Sequence, residues 1–463
     1  MNRRHFLQTT TLSLAGLLAA ACGGTIPAEQ TQQRVLIVGA GMAGLAAAKT
    51  LRQAGYEVLV LEGRDRLGGR IWTSRAWADV AIDLGASWIH GTEGNPLTAL
   101  AQESKARTAV TSYDSGEIYD SNGRLFTAKQ ERQLEQLTAQ VEETIAEAQD
   151  ADEDEGVETA VKDALDWENL SQEEQKQLDF VLNSTLEQEY GGSTAELSTY
   201  WFDAGEEFGG DDVLFPDGYD ALINHLAEGI TVKLNQNVHR IAWGEGETAV
   251  YTDTDNFTGD AIICTLPLGV LQAGTVSFTP ALPNAHQEAI DALQMGLLNK
   301  CFLRFPTAFW PTDVDWLEYV PTAKGQWAEW VSFARPTGQP ILLGFNAADF
   351  GREIETWRDE EIVESAMATL RTIFGEQIPD PTDYQITRWN ADPFAYGSYS
   401  FNALGSTPEM RDQLAHSVDS RLFFAGEATS RSYFGTVHGA YLSGVRAAEE
   451  VGEQLNILSK GIN

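Results

Sequence analysis

VLIVGAGMAGLAAAKTLRQAGYEVLVLEGRDRLGGRIWT, residues 35–73, is the stretch on which the fold turns. It opens on four apolar residues, Val35 to Val38, whose unbroken hydrophobicity fits a parallel strand buried on both faces. Gly39, Gly41 and Gly44 follow, then an alanine-rich helical run, then a second apolar run from Val58 to Leu61 that ends at Glu62. Strand, glycine turn, helix, strand and terminal acid, in that order, make a βαβ unit that binds a dinucleotide. Gly39 permits the tight turn and Gly41 lets the backbone approach a pyrophosphate. Gly44, next to Ala43, lets the helix pack on the strand. The helix N-terminus then presents N–H groups and a positive dipole end to the phosphates. Glu62 is placed to accept hydrogen bonds from both hydroxyls of an adenosine ribose. Beyond it, the continuation Arg64 to Arg70, with Gly68 and Gly69, can close over the pyrophosphate from its other side.

The chain of 463 residues is long enough for a large core and two domains, and its twelve tryptophans argue against disorder. Residues 1–24 stand apart. Arg3 and Arg4 precede an apolar stretch at 12–21 that is too short for a lasting membrane span, followed by Cys22. This reads as a bacterial twin-arginine export signal leading to the periplasm. Cys22, after Leu18-Ala-Ala-Ala, is a candidate lipid-attachment cysteine and hence a membrane anchor. Ala19 replaces the usual leucine three residues before it, so plain cleavage nearby is the alternative. A short apolar N-terminal helix is the bland reading of the same residues. Residues 25–33 form a polar linker. Removing residues 1–21 deletes two arginines and no acid, taking the net charge from −37 to about −39. Such a surface repels nucleic acid and anionic membrane and draws in cations. Solubility alone explains it; steering of a polycationic substrate is a further expectation. Cys264 and Cys301 lie in apolar runs and read as buried free thiols, and no Cys/His spacing suits a metal.

Farther along, Asp83-Leu-Gly85-Ala86-Ser87-Trp88-Ile-His90-Gly91 has small residues that allow close approach to something flat. Residues 96–201 turn helical and acidic, with helical spacing over 128–148 and 159–180 and an exposed acidic loop at 150–156. Residues 212–275 return to βαβ-like texture. The segment 276–415 mixes Phe- and Trp-rich strands with a helix near 359–374. A last strand reaches Gly426-Glu427, and a small-residue helix opens after Gly435.

GAGMAGLAAAKTL, LEGRDRLGGRIWT, DLGASWIHG, CTLPLGVL, MGLLNKCFLRF, RWNADPFAYGSYSF and LFFAGEATSRSYFGTVHGAYLSG together resemble the flavin-containing amine oxidases, polyamine oxidases and the related histone lysine demethylases above all. The Gly68-Gly69-Arg70 continuation is similar to the FAD-binding signature, which selects FAD over NAD. The resemblance runs in order from about residue 33 to 452. It implies an α/β (α+β overall) fold with a discontinuous Rossmann-like FAD domain, residues 34–95, 212–275 and 416–455. A mixed-sheet and helical substrate domain would take residues 96–211 and 276–415. The implied partners are a small polycationic amine and dioxygen. The implied reaction moves hydride from the carbon next to nitrogen to flavin N5, followed by imine hydrolysis and formation of hydrogen peroxide.

The resemblance also implies roles. Lys300, in an otherwise apolar run, matches the family's lysine that holds a water near flavin N5; by composition alone it is a strand-end lysine reaching solvent. Tyr399 matches an aromatic wall beside the flavin. Thr436 stands where the other wall is commonly a tyrosine, so a complete two-ring cage is not expected, and its hydroxyl could instead hydrogen-bond a substrate nitrogen. His90 falls where some polyamine oxidases carry a histidine near the substrate, the bland alternative being a histidine satisfied by backbone. Glu187 falls on the block where a carboxylate meets a distal ammonium, with Glu189 as its competitor. Trp389 matches a tryptophan near the flavin ring, and Glu427 an acid at the pyrophosphate–ribityl region. Val238 matches a backbone contact to adenine. Gly85, Ala86, Ser87, Trp88, Gly426 and Val437 complete the cofactor contacts. Monoamine oxidases tether FAD through a C-terminal cysteine; no cysteine follows Cys301, so non-covalent FAD is expected. An L-amino-acid oxidase needs a guanidinium for the substrate carboxylate, and no arginine falls between Arg75 and Arg107. A histone demethylase needs a long helical insertion, for which this chain has no room. A non-catalytic flavin-binding protein is the remaining alternative.

Overall fold

The computed structural model describes residues 32–461 apart from residue 245; the residues read above as an export signal, Cys22 and the expected linker as far as residue 31 lie outside them. Among the described residues, β1 (Arg34–Val38) lies at the centre of a five-stranded parallel sheet. It pairs with β2 (Glu57–Leu61) in the register Val35↔Val58, and on its other side with Ala261–Cys264 in the register Val35↔Ala261. Leu422–Phe424 and Val232–Lys233 form the edges. Sequentially distant segments meet here because each is a short apolar run that can be buried on both faces.

The pleat divides β1 between two cores. Val35 and Ile37 point at the helices α1 (Met42–Gln53) and Val437–Gly461, while Leu36 and Val38 pack with Val238, Ile241 and Val250 of a second sheet. Small residues bring the two helices together. A methyl group on Gly444 would sit 2.1 Å from the Ala43 carbonyl oxygen. The second sheet departs from the βαβ texture expected over 212–275. Val238–Ala242, Ala249–Thr252 and Asn256–Thr258 form an antiparallel meander, because connections this short can only reverse the chain. Two pairings also cross the boundaries drawn from the sequence. Ser277–Thr279 joins Val238–Ala242, and Ala109–Thr111 joins Asp212–Leu214.

A six-stranded mixed sheet carries the other half of the molecule, with Leu298–Arg304 running antiparallel between Ile341–Ala347 and Asp383–Ile386. Cys301 and Leu303 face the helix Asp359–Phe374, through Ile362, Ala366 and Leu370. Phe302 faces the opposite way, onto Trp77, Ile82 and Leu84. Lys300 shares that parity, which turns it toward the block 83–91 rather than toward solvent. The helical spacing read over 159–180 is interrupted. One helix is Val157–Ala164, and Asp166 takes a left-handed φ of 53°. Ser171 and Glu174 then form a reciprocal capping box that starts Gln172–Val181. Cys264 and Cys301 are buried and unpaired, and burial raises both thiol pKa values, that of Cys264 to about 12. No described helix is long and apolar enough to cross a membrane.

Candidate active site

One cavity of about 680 Å³ runs from the C-terminal ends of β1 and β2 to the face of the six-stranded sheet. At its first end α1 starts at Gly41 with no side chain capping its leading N–H groups. Gly39 has φ +106°, and a methyl group on it would collide with Thr265 Oγ1 at 2.4 Å. Gly41 differs: a methyl there would meet only the Gly68 carbonyl oxygen, at 3.8 Å, and would point into the cavity. Glycine at 41 therefore keeps space for a ligand rather than relieving a clash. Gly69 backs onto the Cα of Gly41 from the second glycine pair. The Glu62 carboxylate is buried at the end of β2, fixed by the backbone N–H groups of Ala40 (2.8 Å) and Arg64 (2.9 Å). N–H groups at a helix start, two glycine turns and an oriented acid at the next strand end fit the phosphates and ribose of FAD. Ala43, Gly63 and Val238 line the same end. Gly44 does not line the cavity: its methyl would lie 2.0 Å from the Gly39 carbonyl oxygen, so its part is helix–strand packing.

The arginines are fixed by protein acids. Arg64 pairs with Asp392 at 2.9 Å, and Arg70 reaches both Glu427 and the Ser398 carbonyl oxygen at 2.9 Å. Glu427 also accepts from Ser400 Oγ at 2.6 Å and from the Gly435 N–H at 2.9 Å. Burial alone would raise its pKa, but Arg70, Ser400 and Arg411 outweigh that and hold it below the usual range. Gly426 and Val437 line this region with it.

In the middle of the cavity Lys300 Nζ is buried, 2.6 Å from the Gly85 carbonyl oxygen, 3.1 Å from that of Asp83 and 2.5 Å from Ser87 Oγ. It sits 5.5 Å from the Trp88 ring centroid. Those three oxygens take all three protons of an ammonium. Burial pushes the Lys300 pKa down to about 7, against the opposing charge of Asp83, so Nζ can gain or lose a proton near neutral pH. Asp83, which sequence reading passed over, is buried behind it and hydrogen-bonded by Thr73 Oγ1 at 2.5 Å and by the Tyr219 N–H at 3.1 Å. Burial raises the Asp83 pKa in turn. Ala86 lines the cavity alongside, and Trp389 closes it with its indole N–H on the Leu84 carbonyl oxygen at 3.2 Å.

Beyond Lys300 the cavity is aromatic and then acidic. Trp88, Trp316 and Phe345 form one wall with centroids 6.2 Å apart, and Tyr399 stands elsewhere in the lining with its hydroxyl on the Gln188 carbonyl oxygen at 2.7 Å. Thr436 lines the cavity, and its hydroxyl is bound by backbone groups. It donates to the Tyr433 carbonyl oxygen (2.8 Å) and accepts from the Gly439 N–H (2.9 Å), tying down the start of the last helix. His90 faces the cavity with Nδ1 3.0 Å from Asp212. Burial lowers its pKa, yet the hydrogen bond to Asp212 and the charges of Glu189 and Glu207 leave it above the ordinary value.

Glu187 is the clearest correction. It is buried outside the cavity lining, paired with Lys324 at 2.8 Å and held by Asn183 and Thr194. Its competitor Glu189 lines the cavity instead, with Asp114, Asp203, Glu206, Glu207, Asp211, Asp212 and Glu329. The Glu329 carboxyl makes no hydrogen bond or ion pair to any described residue. Burial raises its pKa well above the ordinary range, and the charges of Glu318 and Glu189 add to that. Among the lining residues the arginines are Arg64 and Arg70 and the lysine is Lys300. No metal-type cluster of acids, histidines or cysteines occurs among the described residues.

Comparison with known proteins agrees with this geometry. The profile of the flavin containing amine oxidoreductases matches residues 42–452. A "Lysine-specific histone demethylase 1 homolog 1" of Oryza sativa subsp. japonica is 37% identical over 447 residues, covering 90% of this chain and 52% of that protein. The "Lysine-specific histone demethylase 2" of Homo sapiens is 31% identical over 474 residues, 97% of this chain and 56% of its own length. The chain thus spans about half the length of these curated relatives. Among solved structures, a putrescine oxidase bound to putrescine has the same fold, with a TM-score of 0.75 at 21% identity over 91% of this chain and 99% of that one.

Proposed function

This chain belongs to the flavin-containing amine oxidoreductase family, an FAD-dependent class, and we propose that it is an oxidase of polyamines of the spermine and spermidine class. The observation that carries the proposal is the charge of the cavity beyond Lys300. Its lining holds many carboxylates and no guanidinium, as a substrate with several ammonium groups requires. The same lining disfavours an L-amino acid, whose carboxylate would face acids.

FAD, when bound, would supply the redox chemistry: acceptance of hydride from the carbon next to nitrogen, and return of the two electrons to dioxygen as hydrogen peroxide. The chain's own groups do the rest. Glu62 and the starting N–H groups of α1 hold the adenosine and phosphate end. Trp88, Trp316, Phe345 and Tyr399 exclude water around the reacting nitrogen, which favours its neutral form over the protonated one. Glu189 and Glu329 receive the distal ammonium. Lys300, its pKa lowered by burial, holds a water or moves a proton at Nζ. The cavity lining contains no cysteine, which supports non-covalent FAD.

The names of the curated relatives favour a second reading, oxidation of a methylated lysine side chain. One experiment separates the two. FAD-loaded protein is assayed for peroxide against spermine, spermidine, acetylated polyamines, diamines, L-amino acids and a methyl-lysine peptide, with products identified by mass. Turnover of polyamines above all others is expected. Peroxide only from the peptide, or from L-amino acids, overturns the proposal.

A further inference from the structure

Glu187 and Lys324 form a buried ion pair outside the cavity, and each belongs to an element that delivers one carboxylate into it. Glu187 ends the π-helical turn Leu182–Glu187, which continues Gln172–Val181 and passes into the helical turn Gln188–Tyr190. Side chains two apart on a helix point to nearly opposite sides. With Glu187 turned inward, Glu189 is turned toward the cavity it lines. π-helical turns of this kind are concentrated at functional sites.

Lys324 comes from the connection between Trp316–Tyr319 and Glu329–Ser332, antiparallel strands in which Glu318 lies opposite Glu329. Its Nζ contacts Glu187 at 2.8 Å, Glu158 at 2.7 Å and Thr194 Oγ1 at 2.7 Å, so all three donors are taken. The contact is close-packed. Asn183, fully buried, donates to Glu187 at 2.8 Å, and a methyl group on the neighbouring Gly325 would come within 3.0 Å of the Asn183 amide nitrogen. The Gln188 carbonyl oxygen meanwhile holds the Tyr399 hydroxyl, tying the same turn to the aromatic wall.

We propose that the Lys324–Glu187 pair is a strut that fixes the spacing between Glu189 and Glu329, and thereby selects amines by the distance between their charged nitrogens. Both residues are positioning residues; neither lines the cavity. The idea rests on the polyamine reading above and adds what sets chain-length preference. The Lys324 ammonium persists at neutral pH. Burial opposes the Lys324 ammonium, but Glu187 and Glu158 raise its pKa, while Lys324 and Lys162 overcome burial and draw Glu158 down to about 2.

The test measures kcat and KM of the FAD-loaded protein for α,ω-diamines of increasing length and for a monoamine. Wild type is compared with Lys324→Met, Glu187→Gln, the double variant and Lys324→Arg. Each neutralising single variant is expected to raise KM for the preferred diamine about ten-fold and to flatten the length preference. kcat and the monoamine KM should move less than about two-fold, and the double variant should be no worse than either single one. Lys324→Arg should keep the preference, since it keeps the charge. If Lys324→Met fails to load FAD, Glu187→Gln, which keeps the shape and one of the two accepting oxygens, decides the matter. An unchanged length profile in Glu187→Gln, or equal losses for the diamines and the monoamine, overturns the strut alone. A wild type that oxidises polyamines but no diamine also overturns the strut alone, and one that oxidises neither overturns the polyamine reading and the strut with it.

Discussion

Replacing Glu329 by glutamine removes one carboxylate from the cavity and leaves its shape intact. Glu329 is 3% exposed and lines the cavity, and its carboxyl has no hydrogen-bond partner among the described residues. Burial and the charges of Glu318 and Glu189 hold its pKa well above that of an ordinary glutamate. A bound ammonium supplies the missing counter-charge. A hydrogen bond to a charged group contributes about 1.5–3 kcal/mol. Its loss should therefore lower kcat/KM for a diamine about 10- to 150-fold, while a monoamine of the same length loses little. The pH dependence has a definite sign. Below the Glu329 pKa of the free enzyme a cation must displace a proton to bind, so KM for the diamine should fall as pH rises through that value. The slope should vanish in the glutamine variant. Stability should move the other way. A carboxyl whose folded pKa lies above its unfolded value destabilises the fold once pH exceeds the unfolded pKa of about 4.3. The variant should therefore be at least as stable as wild type at neutral pH. Peroxide-coupled kinetics against both amines, with thermal unfolding alongside, make the check. Equal losses for monoamine and diamine, or no loss, would refute the reasoning.

Other outcomes follow from the same geometry. Gly41→Ala should fold within about 1 kcal/mol of wild type yet bind FAD more weakly, because its methyl enters the cavity. Gly44→Ala places its methyl 2.0 Å from the Gly39 carbonyl oxygen and should cost more than about 2 kcal/mol in thermal or urea unfolding. Lys300→Met removes the group between Asp83, Gly85 and Ser87. Stopped-flow absorbance should show flavin reduction or reoxidation slowed at least about 100-fold with FAD still bound, and a near-wild-type rate would remove Lys300 from the mechanism. With a formal net charge of −37, the apparent on-rate for a polyamine should fall as salt rises from about 10 mM to 150 mM; a flat response would leave the charge to solubility alone.

The FAD end of the site was legible in the chain because its chemistry is local. A strand, a glycine turn, a helix start and a terminal acid all fall within residues 35–73, and periodicity with glycine placement is enough to order them. The capping box at Ser171 and Glu174 was equally local, yet apolar spacing on both sides hid the break between two helices. The substrate end was not local. Glu187 and Glu189 sit two apart in one acidic segment, and only the partner at Lys324, far along the chain, decides which turns inward. Asp83, Asp212 and Glu329 carry no sequence signal, since each acquires its setting from strands distant in sequence. Thr436 shows the same limit in reverse: its position was readable, but its hydroxyl is taken by backbone groups that only the folded turn brings near. Composition and local pattern thus determined the cofactor-binding unit and the family's blocks. Tertiary structure decided which carboxylates reach the substrate, because burial and counter-charge belong to contacts between segments and not to any one of them.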